Sequence, residues 1–230
     1  MSAGFGHRSS DVPWISRVWW CRRDAAASMT SLARAEWDLV LRSGPDGPSA
    51  ALQGAESVAS RVSVPAPSAY LGIRFARGVS LVPHRAAAIV DTSVPLPTED
   101  GDLLLGQRRW RLPEVDEVEA FVLGLVDAGL LTMAELPPPD RTTRTAQRHH
   151  RSSTGLTRDF VRQVDRARLA AASLRAGEAW PSVVEELGYV DQAHLTRAMR
   201  RFVGHTPGEL GSAGGIPLSF LYKTPRAECS

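Results

Sequence analysis

One stretch of sequence decides how the carboxy-terminal part of this chain folds: Gly188-Tyr189-Val190-Asp191-Gln192-Ala193-His194-Leu195-Thr196-Arg197-Ala198-Met199-Arg200-Arg201-Phe202. Apolar residues recur in it at three- and four-residue steps, which is the spacing of one helix face. Asp191 stands just before them, at the N-cap position, where a carboxylate accepts backbone N–H groups. The pattern predicts an amphipathic helix that begins after Asp191 and carries Leu195, Ala198, Met199 and Phe202 on its apolar face.

A shorter helix is predicted before it, from Trp180 to Leu187, with Pro181 in its first turn. Gly188 follows that helix, at a position where a residue without a Cβ enters the left-handed conformation cheaply. Two helices joined by a glycine-containing turn of this length are typical of a helix-turn-helix. Gly204 is predicted to end the second helix, and Pro207 to begin a last short one.

The polar residues of the second helix carry amide, imidazole, hydroxyl and guanidinium groups, which can bond base edges and phosphates in a DNA major groove. We expect base contacts from Gln192, His194, Thr196 and Arg197. We expect phosphate or groove contacts from Arg200, Arg201, Arg148 and Arg151.

These residues also carry a family resemblance. The pattern Gly188-Tyr189, Asp191-Gln192, His194-Leu195-Thr196-Arg197, Arg200-Arg201-Phe202 and Gly204-His205-Thr206-Pro207 resembles the signature of AraC/XylS-type transcription regulators. Upstream, Thr154-Gly155-Leu156-Thr157 with Arg166, Ala170 and Leu174 is similar to the end of that family's first helix-turn-helix and its long bridging helix. The resemblance covers about residues 141–210 and implies two helix-turn-helix motifs that enter successive major grooves of double-stranded DNA.

The resemblance places the first recognition helix at about residues 142–153, followed by a bridging helix from Arg158 to Ala176. The polar candidates of the first recognition helix are Arg144, Thr145, Gln147, Arg148 and Arg151. Pro137-Pro138-Pro139 departs from the family pattern, because three prolines cannot lie inside a supporting helix. Either residues 118–131 supply that support or the first motif is truncated. His150 also departs, since it stands where the family has a buried aromatic, and burial requires its ring nitrogens to be paired.

The charge distribution favours DNA contact at one end of the chain. Residues 141–210 hold twelve arginines and seven acidic residues, whereas residues 1–140 hold thirteen arginines and seventeen acidic residues. The carboxy-terminal module is therefore basic, as phosphate contact requires. Lys223 is the single lysine of the chain. A general preference for arginine explains why the basic residues are arginines, but not why their excess lies in residues 141–210.

The amino-terminal part has short runs of β-branched and aromatic residues separated by turn sequences, which predict strands. The runs are Ile15–Cys21, Ser28–Ala33, Trp37–Arg42, Ser57–Val64 and Tyr70–Phe75. A helix is predicted from Val115 to Leu130. We expect an α+β protein with a small antiparallel β half-barrel or sandwich over residues 10–135, a proline-rich linker over 136–140, an all-α DNA-binding module over 141–212 and a tail over 213–230.

Residues 10–135 resemble the amino-terminal domain of a group of actinobacterial AraC-type regulators. The resemblance is carried by Ser16-Arg17-Val18-Trp19, Glu36-Trp37-Asp38-Leu39-Val40, Leu71-Gly72-Ile73-Arg74-Phe75, Leu105-Gly106, Trp110 and Pro113. It implies a cupin-like sensing or dimerising domain, with a small-molecule effector, RNA polymerase and a second copy of the chain as candidate partners. Trp19, Trp37 and Trp110 are candidates for lining an effector pocket; the alternative is that they are ordinary core.

Other functions find less support in the sequence. Cys21 and Cys229 are too few and too far apart for a disulfide framework or a metal site, and no credible nucleophile, base and oxyanion set predicts catalysis or a cofactor. No apolar run is long enough to span a bilayer, and the start lacks a signal peptide's apolar core, so a cytoplasmic protein is expected. The competing function is a ligand-binding or protein-interaction adaptor that keeps the helices without binding DNA. An enzyme in the amino-terminal barrel is a third alternative.

Overall fold

The computed structural model describes residues 5–134, 144–212 and 218–219. Antiparallel sheets form its amino-terminal region and helices its carboxy-terminal region, which confirms the α+β prediction at this level. The predicted linker and most of the predicted tail lie outside the described residues. No helix in the described part of the chain has both the length and the apolarity that a membrane crossing requires.

Contacts between residues divide the chain into two compact units. The sheet unit comprises the described residues of 1–27, 35–56 and 64–158, and the helical unit comprises 28–34, 57–63 and the described residues from 159 on. This division differs from the predicted boundaries in two places. Two short segments of the amino-terminal half, Ser28–Arg34 and Ser57–Ser63, belong to the helical unit, and we call them the inserted segments. The residues of the predicted first recognition helix belong to the sheet unit.

The described chain contains fourteen strands and six α-helices. The strands are β1 (Phe5–Arg8), β2 (Ile15–Arg23), β3 (Ala27–Ser31), β4 (Asp38–Gly44), β5 (Gly47–Gln53), β6 (Ser60–Val64), β7 (Ser68–Phe75), β8 (Val79–Leu81), β9 (Ser93–Leu96), β10 (Thr98–Glu99), β11 (Asp102–Leu105), β12 (Arg108–Arg111), β13 (Leu131–Met133) and β14 (Leu218–Ser219). The helices are α1 (Val118–Asp127), α2 (Arg144–Thr154), α3 (Arg158–Arg175), α4 (Trp180–Glu186), α5 (Gln192–Phe202) and α6 (Pro207–Ser212). A 3-10 helix covers Ala86–Ala88.

The sheet unit is built on a six-stranded sheet with the order β1-β2-β7-β4-β5-β9, in which every pair is antiparallel. Smaller sheets pair β10-β11-β12 and β13-β8. The apolar stripe predicted over residues 115–130 is the buried face of α1, and it shares one core with side chains of the sheet. That core includes Leu39, Leu52, Ile73, Phe75, Val118, Val122 and Leu125.

A buried ion pair ties three neighbouring strands of this sheet together. Asp38 of β4 accepts two hydrogen bonds from Arg74 of β7, at 2.8 and 3.0 Å, and one from the indole N–H of Trp19 of β2, at 3.0 Å. The Asp38 and Arg74 side chains are only 1% and 3% exposed. Trp19 reaches Asp38 because it lies against Gly72, where an added Cβ would come within 1.8 Å of the indole ring.

All five predicted strand regions contain a strand, but many strands were not predicted. The hairpin of β11 and β12 turns through Gly106 and Gln107, and both have positive φ, at 56° and 62°. Positive φ at both central residues is typical of a type I′ turn, whose twist matches that of the flanking strands. Gly-Gln is not among the sequences that predict this turn. β9 contains Pro95 and lies at the edge of its sheet, where a missing N–H is tolerated.

The helical unit buries one face of each of its long helices. The core contains Val164, Ala167, Ala170, Ala171 and Leu174 of α3, Val183 of α4, Leu195, Met199 and Phe202 of α5, and Leu32 and Ala33 of an inserted segment. Thr206 and Glu209 cap α6 reciprocally: Thr206 N–H donates to Glu209 Oε2 at 2.6 Å, and Glu209 N–H donates to Thr206 Oγ1 at 3.3 Å. The hydrogen bonds from Thr206 lower the pKa of Glu209.

We expect the replacement Asp38→Asn to destabilise the fold strongly. It preserves the size of the side chain but removes the negative charge that faces the Arg74 guanidinium. Breaking a buried ion pair from one side costs about 3–5 kcal/mol. A urea titration of the full chain should show a free energy of unfolding lower by that amount.

Glu99→Gln is the matched control. Glu99 pairs with Arg109 at 2.6 Å, but these side chains are 55% and 47% exposed. An exposed ion pair contributes about 0–1 kcal/mol. Equal losses in the two variants would contradict a stabilising role for the buried charge of Asp38.

Candidate nucleic-acid interface

The turn between α4 and α5 follows the predicted pattern. Gly188 has a φ of 65°, the left-handed conformation expected at the end of α4. Gly188 N–H donates to Glu185 O at 3.2 Å, and Tyr189 N–H donates to Val184 O at 2.9 Å. These bonds close the carboxyl end of α4, so the chain turns within five residues and α5 begins at Gln192.

Tyr189 anchors that turn in the core of the helical unit, where it is 5% exposed. The guanidinium of Arg166, from α3, lies over the Tyr189 ring at 4.5 Å and donates to Gly188 O at 3.4 Å. Burial raises the pKa of Tyr189 above its ordinary value, and the nearby Arg166 charge opposes this effect. Arg166 of α3 therefore holds the turn in place through its contacts with Tyr189 and Gly188.

The amino end of α5 is capped as predicted. Asp191 Oδ1 accepts the backbone N–H of His194 at 2.6 Å. The His194 ring meets the Tyr189 ring edge to face, with centroids 5.2 Å apart. Val190 N–H donates to His194 Nδ1 at 3.4 Å, so this nitrogen is an acceptor and the ring proton lies on Nε2. His194 thus retains one N–H donor for another molecule.

α5 is amphipathic in the sense that the sequence predicted. Leu195 and Met199 are completely buried, and Phe202 is 2% exposed. Of the predicted DNA-contacting residues on α5, the structure leaves four exposed and two half-buried. Gln192, Arg197, Arg200 and Arg201 are exposed, and His194 and Thr196 are half-buried.

The arginines of α5 differ in their surroundings. Within the described residues, Arg197 and Arg200 form no ion pair or hydrogen bond, although the charge of Arg200 helps to lower the pKa of Glu209. Arg201 instead lies over two aromatic rings, with its guanidinium carbon 4.9 Å from the centroid of Phe202 and 5.7 Å from that of Phe160. Its side chain is therefore more constrained than those of Arg197 and Arg200.

A second basic face lies on α2, in the sheet unit. Arg144, Gln147, Arg148 and Arg151 are all exposed, and their spacing of three, four and seven residues places them on one side of the helix. The opposite side packs on the 3-10 helix at Ala86–Ala88, where an added Cβ on Gly155 would lie 2.9 Å from Ala87 Cα. Residues of the sheet unit thus support α2, and the apolar face of α1 is buried in the core of that unit.

His150 fills its buried position as a paired imidazole. It is 7% exposed, and its Nδ1 lies 3.1 Å from the carbonyl oxygen of Leu156. Because a carbonyl can only accept, Nδ1 carries the proton and donates. Thr154 Oγ1 also donates to His150 O at 2.9 Å. The buried imidazole that replaces the expected aromatic side chain therefore has a hydrogen-bond partner nearby in sequence.

The net positive charge of residues 141–210 comes entirely from the first eighteen of these residues. Residues 141–158 hold five arginines and no acidic residue, whereas residues 159–210 hold seven arginines and seven acidic residues. The described part of the first segment belongs to the sheet unit. The positive charge on α5 is thus a local surface feature rather than an excess over the helical unit.

The three candidate tryptophans use their N–H groups inside the sheet unit. Trp37 donates to Val79 O at 2.6 Å and stacks on Phe75 at 4.2 Å, and Trp110 donates to Leu105 O at 3.2 Å. With Trp19 bound to Asp38, all three donors have protein acceptors. A cavity of about 10 Å³ beside Trp37 holds roughly one water, which is too small for a metabolite. An effector pocket lined by these residues stays a prediction.

Two features of the site were not predicted from sequence. Arg166 was noted only as a match to the bridging helix, and its stacking on Tyr189 depends on how α3 crosses the turn. Nothing in the sequence indicated that the inserted segments belong to the helical unit. Both Ser28–Arg34 and Ser57–Ser63 have the composition of ordinary strands. Within the described residues, no group of three or more His, Cys, Asp or Glu side chains could hold a metal ion.

Comparisons of this chain with protein-family models, with curated proteins and with solved structures found no match. The resemblance to AraC/XylS-type regulators therefore stays a prediction carried by the quoted residues.

Proposed function

We propose that this chain is a sequence-specific DNA-binding transcription regulator that reads the major groove with α5. The observation that carries the proposal is the orientation of that helix. Its apolar side is buried, while Gln192, Arg197 and Arg200 are exposed and neither arginine forms an ion pair or hydrogen bond within the described residues. An exposed helix face with unpaired guanidinium groups is what contact with base edges and phosphates requires.

The exposed groups on α5 suit base recognition. Gln192, Thr196 and Arg200 follow one another at four-residue steps and share a face. An α-helix with its side chains is about 10–12 Å in diameter, so α5 fits a major groove about 12 Å wide. Arg197 can donate two hydrogen bonds to a guanine, and Gln192 can pair with an adenine. The Nε2–H of His194 can donate to a purine N7.

We also propose a division of labour between the two basic faces. α2 and α5 would be the recognition helices of a double helix-turn-helix module, and the rest of the sheet unit would be a cupin-like sensor of an effector. Arg144, Arg148 and Arg151 on α2 supply phosphate contacts, since residues 141–158 contain no acidic residue. The competing function is an adaptor that does not bind DNA, and the packing of α2 on the sheet unit is the observation that favours it.

The full-length chain should enrich a sequence from a random duplex library of about 30 base pairs. We call the enriched DNA the selected duplex and a permutation of its bases the scrambled duplex. Fluorescence anisotropy should show at least about a thousandfold preference for the selected duplex, the lower end for specific regulators. Failure to enrich any sequence would leave the adaptor as the better proposal, and so would equal binding of an enriched duplex and its scrambled counterpart.

Arg197→Ala should weaken binding to the selected duplex at one base position. If Arg197 pairs with a guanine, the loss is about 1–3 kcal/mol, and substitution of that guanine then has little further effect. The measurement is a double-mutant cycle between the protein variant and single base-pair changes. Equal weakening on selected and scrambled duplexes would assign Arg197 to the phosphates.

Arg200→Ala should reduce the salt dependence of binding on every duplex. Loss of one phosphate contact lowers the slope of log K against log salt by about 0.9. Arg162→Ala is the matched control, because Arg162 is equally exposed but bonded to Asp159 on α3. An unchanged slope for Arg200→Ala, or the same change for Arg162→Ala, would remove Arg200 from the interface.

A further inference from the structure

Two backbone N–H groups from the amino-terminal half of the chain bind the carboxyl end of α5. Ala33 N–H donates to Phe202 O at 2.9 Å, and Ala59 N–H donates to Arg201 O at 2.8 Å. The last four carbonyls of a helix have no partner within the helix itself. The inserted segments thus supply donors to carbonyl groups that would otherwise bind water.

Side chains of the inserted segments also pack against the turn that follows α5. Gly204 has a φ of 80°, and an added Cβ there would lie 2.8 Å from Thr30 Cγ2 and 3.3 Å from Ala59 Cβ. Thr30 Oγ1 and His205 Nε2 form a hydrogen bond of 3.0 Å. Leu32, at 2% exposure, shares the buried core of α5. Contacts of three kinds therefore fix the end of the helix and the turn after it.

The inserted segments are joined covalently to inner strands of the six-stranded sheet. Ser28–Arg34 lies between β2 and β4, and Ser57–Ser63 lies between β5 and β7. Only a few residues connect each segment to those strands, and a chain reaches no more than about 3.3–3.6 Å per residue. Each inserted segment therefore has a short covalent connection to the sheet at both of its ends.

We propose that the inserted segments are positioning elements for DNA binding, which hold the carboxyl end of α5 in the orientation that base recognition requires. This inference rests on the proposed function. It differs from a contiguous carboxy-terminal module, because residues 28–34 and 57–63 become part of the DNA-reading unit.

Two pairs of full-length variants test the proposal. Ala59→Pro removes the N–H that binds Arg201, and Ala59→Ser keeps it. Thr30→Val removes the hydroxyl that binds His205 while preserving the size of the side chain, and Thr30→Ser keeps that hydroxyl. The second pair tests the same contact region if proline at position 59 disturbs folding.

Amide hydrogen exchange without DNA measures whether the contacts hold α5. In Ala59→Pro and Thr30→Val, exchange over residues 199–204 should rise by about threefold to tenfold, the effect of one lost hydrogen bond. Exchange over α3 should stay unchanged, and both serine variants should resemble the parent chain. Unchanged exchange in both test variants would overturn the inference whether or not the chain binds DNA.

Fluorescence anisotropy with the selected and scrambled duplexes measures whether the inserted segments position α5 for base recognition. We expect Ala59→Pro and Thr30→Val to lower the preference for the selected duplex by about tenfold, with unchanged affinity for the scrambled duplex, because the charge is unaltered. In the parent chain, the selected duplex should slow exchange over residues 28–34, since coupling between two sites is reciprocal. Equal losses of affinity for both duplexes, or unchanged amide exchange over residues 28–34 when the selected duplex binds, would overturn the positioning role of the inserted segments. Absence of any selected sequence would instead overturn the proposed function.

Discussion

Burial of Leu195, Met199 and Phe202 determines which side of α5 reaches the solvent. Full burial of one large apolar side chain is worth about 1.5–3 kcal/mol. An exposed ion pair is worth about 0–1 kcal/mol. The rotation of α5 about its axis is therefore set by its apolar side, and the arginines take the positions that remain. The DNA-contacting surface that we propose is a consequence of core packing, not of attraction between charges within the protein.

The two ends of α5 are fastened by different means. At the amino end, Asp191 caps the helix, and Tyr189 fixes the preceding turn against Arg166 of α3. At the carboxyl end, backbone donors of the inserted segments bind Arg201 and Phe202. Arg200 and Arg201 lie in the last turn, where positive charge interacts favourably with the helix dipole. A recognition surface needs a rigid element of this kind, because base contacts tolerate little error in position.

The accuracy of the sequence analysis followed the range of the interactions involved. The start and the buried face of α5 were predicted, because its Asp191 cap and its apolar spacing are local signals. The Gly188 turn and the short helix at Pro207 were also local and are confirmed. β5 was missed because its Gly47-Pro48-Ser49 start has the composition of a turn. The assignment of Ser28–Arg34 to the helical unit could not be predicted, since it depends on contacts with residues about 170 positions away.

Net charge is a poor guide to this interface. The whole chain has a formal charge of +2, and residues 159–210 have equal numbers of arginine and acidic residues, yet α5 presents exposed arginines. Salt screens exposed charges beyond about 8 Å at physiological ionic strength, so a phosphate responds to the nearest side chains rather than to the total. The acid-free segment around α2 therefore suits general attraction to the DNA backbone. The mixed polar face of α5 suits discrimination among bases, because its amide, imidazole and guanidinium groups differ in what they can donate and accept.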